Sequence, residues 1–105
     1  MNAIENQVRK LVAVELSAAN ERFPQFHSAH EGYAVIKEEA EELVTEASAV
    51  GFYLEEAWEY IKGDESLAES EIKCVCVWQH AINAACEAIQ VAAMCQKFME
   101  MENRA

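Results

Sequence analysis

The stretch from Cys74 to Met99 is the feature that most limits what this chain can fold into. On a helix it is apolar in nearly every direction, through Val75, Val77, Trp78, Ile82, Ala85, Ile89, Ala92, Phe98 and Met99. Such a helix belongs in the middle of a bundle. The 105 residues leave room for one domain and not for a second catalytic or regulatory one. Three or four helices cut from so short a chain can hardly surround it, so a homo-oligomer, dimer or higher, with this helix at its interface is expected. Three glycines and one proline leave little material for hairpins, and 52% hydrophobic with 26% charged residues is too apolar for disorder. The fold class expected is all-α: an antiparallel bundle of three to four helices, residues 1–105 forming one domain, completed by oligomerisation.

Charge and cysteine usage exclude other classes. Eight Lys and Arg against 19 Asp and Glu give a net charge of −11, which repels phosphate polymers, so a general DNA or RNA binder is not expected. Cys74, Cys76, Cys86 and Cys95 match no zinc spacing and read as reduced core residues. The most apolar segment, Ala81 to Met94, is interrupted by Asn83, Glu87 and Gln90, so no membrane span and a cytoplasmic location are expected.

Along the chain, Ile4, Val8, Leu11, Val12 and Ala19 recur at helical spacing and predict an amphipathic helix over residues 2 to about 20. Pro24 ends that region, and Phe23-Pro24-Gln25-Phe26-His27 reads as an extended linker packed down by its two Phe. Ser28-Ala29-His30-Glu31 has capping-box spacing and starts a second helix at Ala29. Its seam is Tyr33, Ile36, Ala40, Leu43, Ala47 and Val50; Leu54, Ala57, Trp58 and Ile61 resume it after a bend or restart at Gly51. Gly63 is the expected C-terminal cap, Gly63 to Ser70 the loop, Ser66 or Ser70 the next N-cap, and about Glu71 to Met101 the last helix.

Two polar faces are candidates for chemistry. At about 100° per residue, Glu39, Glu42 and Glu46 line one flank of the second helix while Glu38 and Glu41 fall on the far side. Like charges at this spacing repel, so a cation over the row would justify it, and Mg²⁺ is the natural hard ion for carboxylates that leaves positions for water or phosphate. A solvated acidic face is the plainer reading. On the last helix, Gln79, His80, Asn83, Glu87, Gln90 and Lys97 share about a third of a turn. This stripe either points to water or, being amide and imidazole where other faces are dense in Glu, orients a ligand. His27 and His30 are poor metal ligands, and no Ser or Cys forms a nucleophile motif with His80. Trp58 and Trp78 are expected to pack or to stack on a base. Lys37, Lys62, Lys73 and Lys97 are candidate phosphate partners, with Arg22 in the linker that folds over the site.

The Glu38-Glu39-Ala40-Glu41-Glu42-Leu43 run, with Glu87-Ala88-Ile89-Gln90-Val91 on the next helix, resembles the all-α nucleoside triphosphate pyrophosphohydrolases, the MazG-like and dimeric dUTPase-like group. Members of that group hold Mg²⁺ with an E-x-x-E pair on one helix and an E-x-x-D pair on the next. The resemblance covers about Glu31 to Met99 and implies Glu39, Glu42 and Glu87 as metal ligands. It further implies that Glu46 helps the metal activate water against the α–β phosphate linkage. Gln90 stands where the group has its Asp, which removes one anionic ligand, and the stretch between the pairs is longer, around Phe52 to Lys62. His30-Glu31-Gly32-Tyr33-Ala34-Val35-Ile36, taken with Glu87 to Met94, also resembles small phage and prophage proteins.

Three functions are consistent with these residues: Mg²⁺-dependent hydrolysis of a nucleoside triphosphate to monophosphate and pyrophosphate; non-catalytic, phage-type sequestration of a signalling nucleotide, linear or cyclic, against host defence; and a structural or regulatory helical oligomer without a small ligand. The nucleotide readings require the Glu flank and the amide ridge to converge on one enclosed cleft, within a chain or across subunits.

Overall fold

The computed structural model describes residues 3–101. They form three helices, α1 (Glu5–Arg22), α2 (Ala29–Lys62) and α3 (Leu67–Met101), and among the described residues there is no strand. The all-α expectation holds. No helix among these residues is long and apolar enough to cross a membrane.

Each helix end has a local cause. α1 stops at Phe23, whose extended backbone (φ −139°, ψ 92°) is what a residue before proline adopts. At the start of α2, Ser28 Oγ accepts from the Glu31 N–H at 3.1 Å. The Glu31 carboxylate reaches back one residue further than a standard capping box, accepting from the His27 N–H at 2.9 Å. α2 then runs unbroken for 34 residues. Gly51 neither bends nor restarts it, because one helical glycine costs only about 1 kcal/mol relative to alanine. The α2 C-terminus closes with Glu65 N–H on Tyr60 O (2.9 Å) and Asp64 N–H on Ile61 O (3.1 Å), the paired bonds of a Schellman cap. The left-handed residue of that cap is Asp64 (φ 52°), not Gly63. α3 begins at Leu67, four residues before the expected Glu71, because Ser66 takes the N-cap and its Oγ accepts from the Glu69 N–H.

The chain divides into two compact units. The first holds residues up to Glu41 and those from Glu87 onward: α1, the linker, the opening turns of α2 and the closing turns of α3. Leu16, Phe26 and Ala93 are buried there, and so is the stem of Lys97. Gly32 brings α2 against aromatic rings: a Cβ on it would lie 2.6 Å from Phe98 and 3.0 Å from Phe26. The seam therefore enters through Gly32, while Tyr33 is turned outward and exposed.

The second unit, Glu42–Cys86, is an antiparallel helical hairpin. Its facing positions include Ala57, 1% exposed, and Ser70, whose Oγ donates to Leu67 O. Two helices cannot enclose a core. Trp58 and Trp78, expected to pack, are 53% and 63% exposed, and Val75 and Ile82 are exposed as well. Among the described residues, the stretch of α3 that carries Val75, Trp78 and Ile82 is left largely uncovered.

Candidate functional site

The first unit contains a cavity of about 570 Å³. α1 contributes Glu15 and Arg22, α2 contributes Glu31 and Glu39, and α3 contributes Gln90 and Lys97. Phe23 and Phe26 of the linker form an aromatic wall, and Val35, Ala93 and Met94 continue the apolar lining. The linker is held in place from α3: the Lys97 ammonium donates to the Phe23 carbonyl and lies 4.8 Å from the centre of the Phe26 ring. Lys97 is 5% exposed, so its stem is packing material and its charge is committed to the wall.

Within the first unit, one carboxylate oxygen of Glu39 and one of Glu87 lie within 4.8 Å of each other. Glu39 and Glu87 belong to the first unit, and Glu42 is the next turn of the same continuous α2. Glu39 also lines the cavity. Glu87 Oε2 is buried with no hydrogen-bond partner, an arrangement that costs free energy unless something compensates the carboxylate. Two hard carboxylate oxygens so close, on residues one of which also holds an orphaned buried oxygen, fit a divalent cation of the Mg²⁺ type. Gln90, one turn beyond Glu87, is half-buried and lines the cavity. Its amide offers both donors and an acceptor.

The remaining candidate residues form a separate cluster within the second unit. Glu46 Oε2 lies 2.6 Å from His80 Nδ1 and 3.4 Å from Asn83 Nδ2. The Tyr53 ring stacks on the His80 imidazole at 5.4 Å with 6° between planes. Gln79 donates to Asn83 at 3.0 Å and is exposed. The hydrogen bond from His80, followed by that from Asn83, holds the Glu46 carboxyl below the ordinary glutamate range, against the opposing effect of desolvation.

Three of the four lysines considered for phosphate stand in exposed or part-exposed ion pairs: Lys37 with Glu41, Lys62 with Glu59 and Lys73 with Glu56. Arg22 lines the cavity alongside Lys97. Neither His27 nor His30 joins the acidic group. His27 Nδ1 pairs instead with Glu31 at 3.0 Å. Two contributors escaped the spacing argument. Phe26 is a cavity wall where the sequence shows only a packed linker, and Tyr53 covers His80. Tyr53 stands seven residues after Glu46 on the same helical face, which was the available signal.

Glu31 gives the site a pH signature. The His27 backbone N–H, then the His27 ring, hold its carboxyl below the ordinary range. A depressed folded-state pKa contributes stability that is complete above the unfolded value, about 4.3, and is lost as pH falls through the lower folded value. Glu46 carries the same sign. Acid titration of helicity by circular dichroism should therefore show unfolding at low pH that begins closer to neutrality and is less steep in a Glu31→Gln, Glu46→Gln double variant. An identical acid limb in the two proteins would mean that neither contact adds to stability.

No family model, no curated protein and no solved structure matches the chain.

Proposed function

We propose that the first unit is a nucleotide-binding module whose phosphate end is held through Mg²⁺ at Glu39, Glu42 and Glu87, in the manner of the MazG-like pyrophosphohydrolases. One observation carries the reading: carboxylate oxygens of Glu39 and Glu87 lie within 4.8 Å of each other, and Glu39 lines a cavity of about 570 Å³, a volume suited to a small-molecule ligand. When bound, the ion would neutralise phosphate charge and make a coordinated water more acidic. The chain's own residues divide the rest of the task. Phe23 and Phe26 supply an aromatic wall for a base, the Gln90 amide reads its edge, and Arg22 meets negative charge at the mouth. On this reading the chain works in the cytoplasm, where nucleotides are abundant and cysteines stay reduced.

Holding without cutting is the second reading, and Glu46 favours it. As the candidate proton acceptor it is already bonded to His80 and Asn83, and its depressed pKa makes it a weaker base. Gln90 also supplies no charge to the metal. The protein would then sequester a nucleotide, linear or cyclic, as a phage protein countering host signalling would.

A thermal-shift panel of nucleoside triphosphates and cyclic dinucleotides, with and without MgCl₂, separates the readings. Ligand at about 100 times Kd stabilises the folded state by about 2.7 kcal/mol, which in a domain of this size raises Tm by about 10 °C or more. Mg²⁺-dependent stabilisation with pyrophosphate release supports the enzyme. Stabilisation with the nucleotide recovered intact after denaturation supports sequestration. No shift with any nucleotide removes both and leaves a structural or regulatory helical oligomer.

A further inference from the structure

We infer that two copies of this chain associate through an antiparallel pairing of their α2 helices over Val44 to Ile61, independently of any nucleotide. Within the second unit the buried Ala57 and the half-buried Leu43, Glu46, Val50, Tyr53 and Tyr60 form the face of α2 turned to α3. One residue on from most of these runs a second stripe: Val44, Ala47, Gly51, Leu54, Trp58 and Ile61, in unbroken steps of three and four, and every member is exposed. Alternating steps of this kind are the seam of a two-helix coiled coil. The hairpin has already used the neighbouring face for its own α3, so this seam stays exposed among the described residues.

The stripe is matched to itself. Its six positions are symmetric about a point midway between Phe52 and Tyr53. In an antiparallel pair related by a two-fold axis at that point, Val44 stands opposite Ile61 of the second copy, Ala47 opposite Trp58, and Gly51 opposite Leu54. Each of the two inner layers thus sets a small residue against a large one, the complementarity an isologous contact needs. Gly51 is the key position. A Cβ on it would meet nothing within 4 Å, so no neighbour among the described residues requires a glycine there, whereas close approach of a second helix does. The four large side chains, Val44, Leu54, Trp58 and Ile61, are each more than half exposed. They amount to roughly 500 Å² per copy and about 1,000 Å² in all, the size at which a specific interface begins to hold in solution. Facing copies carry the same negative charge, so added salt should strengthen the association.

Sedimentation velocity on the full chain from 1 to 200 µM, in low and high NaCl, tests this. Wild type should be a dimer at the upper end, tighter in high salt. Trp58→Glu should weaken it by at least about 30-fold while the circular dichroism spectrum stays helical; Val44→Glu serves if Trp58→Glu does not fold. The decisive comparison is a size swap. Ala47→Trp and Trp58→Ala alone should each weaken the dimer, and the two together should restore it, which a merely structural role for either residue would not do. A monomer at every concentration, an assembly that keeps its mass in the charged variants, or a swap that fails to rescue would each overturn the proposal. Because the readout is mass without nucleotide or metal, its failure leaves the nucleotide reading standing, and failure of the nucleotide reading leaves this one.

Discussion

Lys97→Met lowers the melting temperature by about 10 °C and makes the Phe23–His27 linker the first part of the chain to exchange its amide protons. The substitution keeps most of the buried stem and removes the ammonium. A hydrogen bond from a charged donor contributes about 1.5–3 kcal/mol, and the cation over Phe26 adds about 0.5–2 kcal/mol in a desolvated setting. Against this stands the relief of no longer burying a charge. That relief is small here because the ammonium has its carbonyl and ring partners and also lies in the field of Glu31. A net loss of about 2 kcal/mol corresponds to about 10 °C at this chain length. Lys97→Ala should cost more, since it also empties packed volume. Hydrogen exchange followed by mass spectrometry locates the damage: the peptide spanning the linker should exchange faster, while those within Glu42–Cys86 keep wild-type rates. Unchanged melting with unchanged linker exchange would show that the Phe23 carbonyl needs no donor from α3.

That contact also shows where the sequence stops being legible. Elements set by residues close in sequence could be read directly: Pro24 dictates the end of α1, Ser28 and Glu31 start α2, and the spacing of Glu39 and Glu42 places both carboxylates on one flank. Glu87 comes beside Glu39 because α2 and α3 each keep their register over many turns. Lys97 reaches a carbonyl 74 residues away, and no local pattern says that the linker folds back under it. Its periodicity marks it as a member of a polar stripe, which is equally true of the exposed Gln79. The glycines were harder. Gly32 and Gly63 each sit beside groups that a Cβ would crowd, whereas Gly51 has open space around it, and sequence cannot separate these cases. Trp58 and Trp78 show a further limit, because hydrophobicity says that a side chain leaves water without saying whether it does so inside one chain or against another.

The acidic group provides the largest functional effect, and its sign reverses with the metal. Glu87→Gln should raise Tm in the presence of a chelator, because the neutral amide ends the repulsion among carboxylates held within 4.8 Å of one another and removes a buried charge whose Oε2 lacks a hydrogen-bond partner. The same substitution should erase the Tm rise that the proposed function predicts for wild type with Mg²⁺ and a nucleoside triphosphate, weakening that binding about 100-fold or more, since losing a ligand costs at least what losing a residue behind it does. Melting curves in EDTA and in MgCl₂ with nucleotide therefore cross: the variant is the more stable protein in the first and the less stable in the second. A row of carboxylates that merely faces solvent predicts no crossing, because neither the repulsion nor the ion would be confined to these residues. A structural role for Glu87 predicts a lower Tm under both conditions. Only a site kept open for a cation gives opposite signs, as its apo state stores the repulsion that the ion removes.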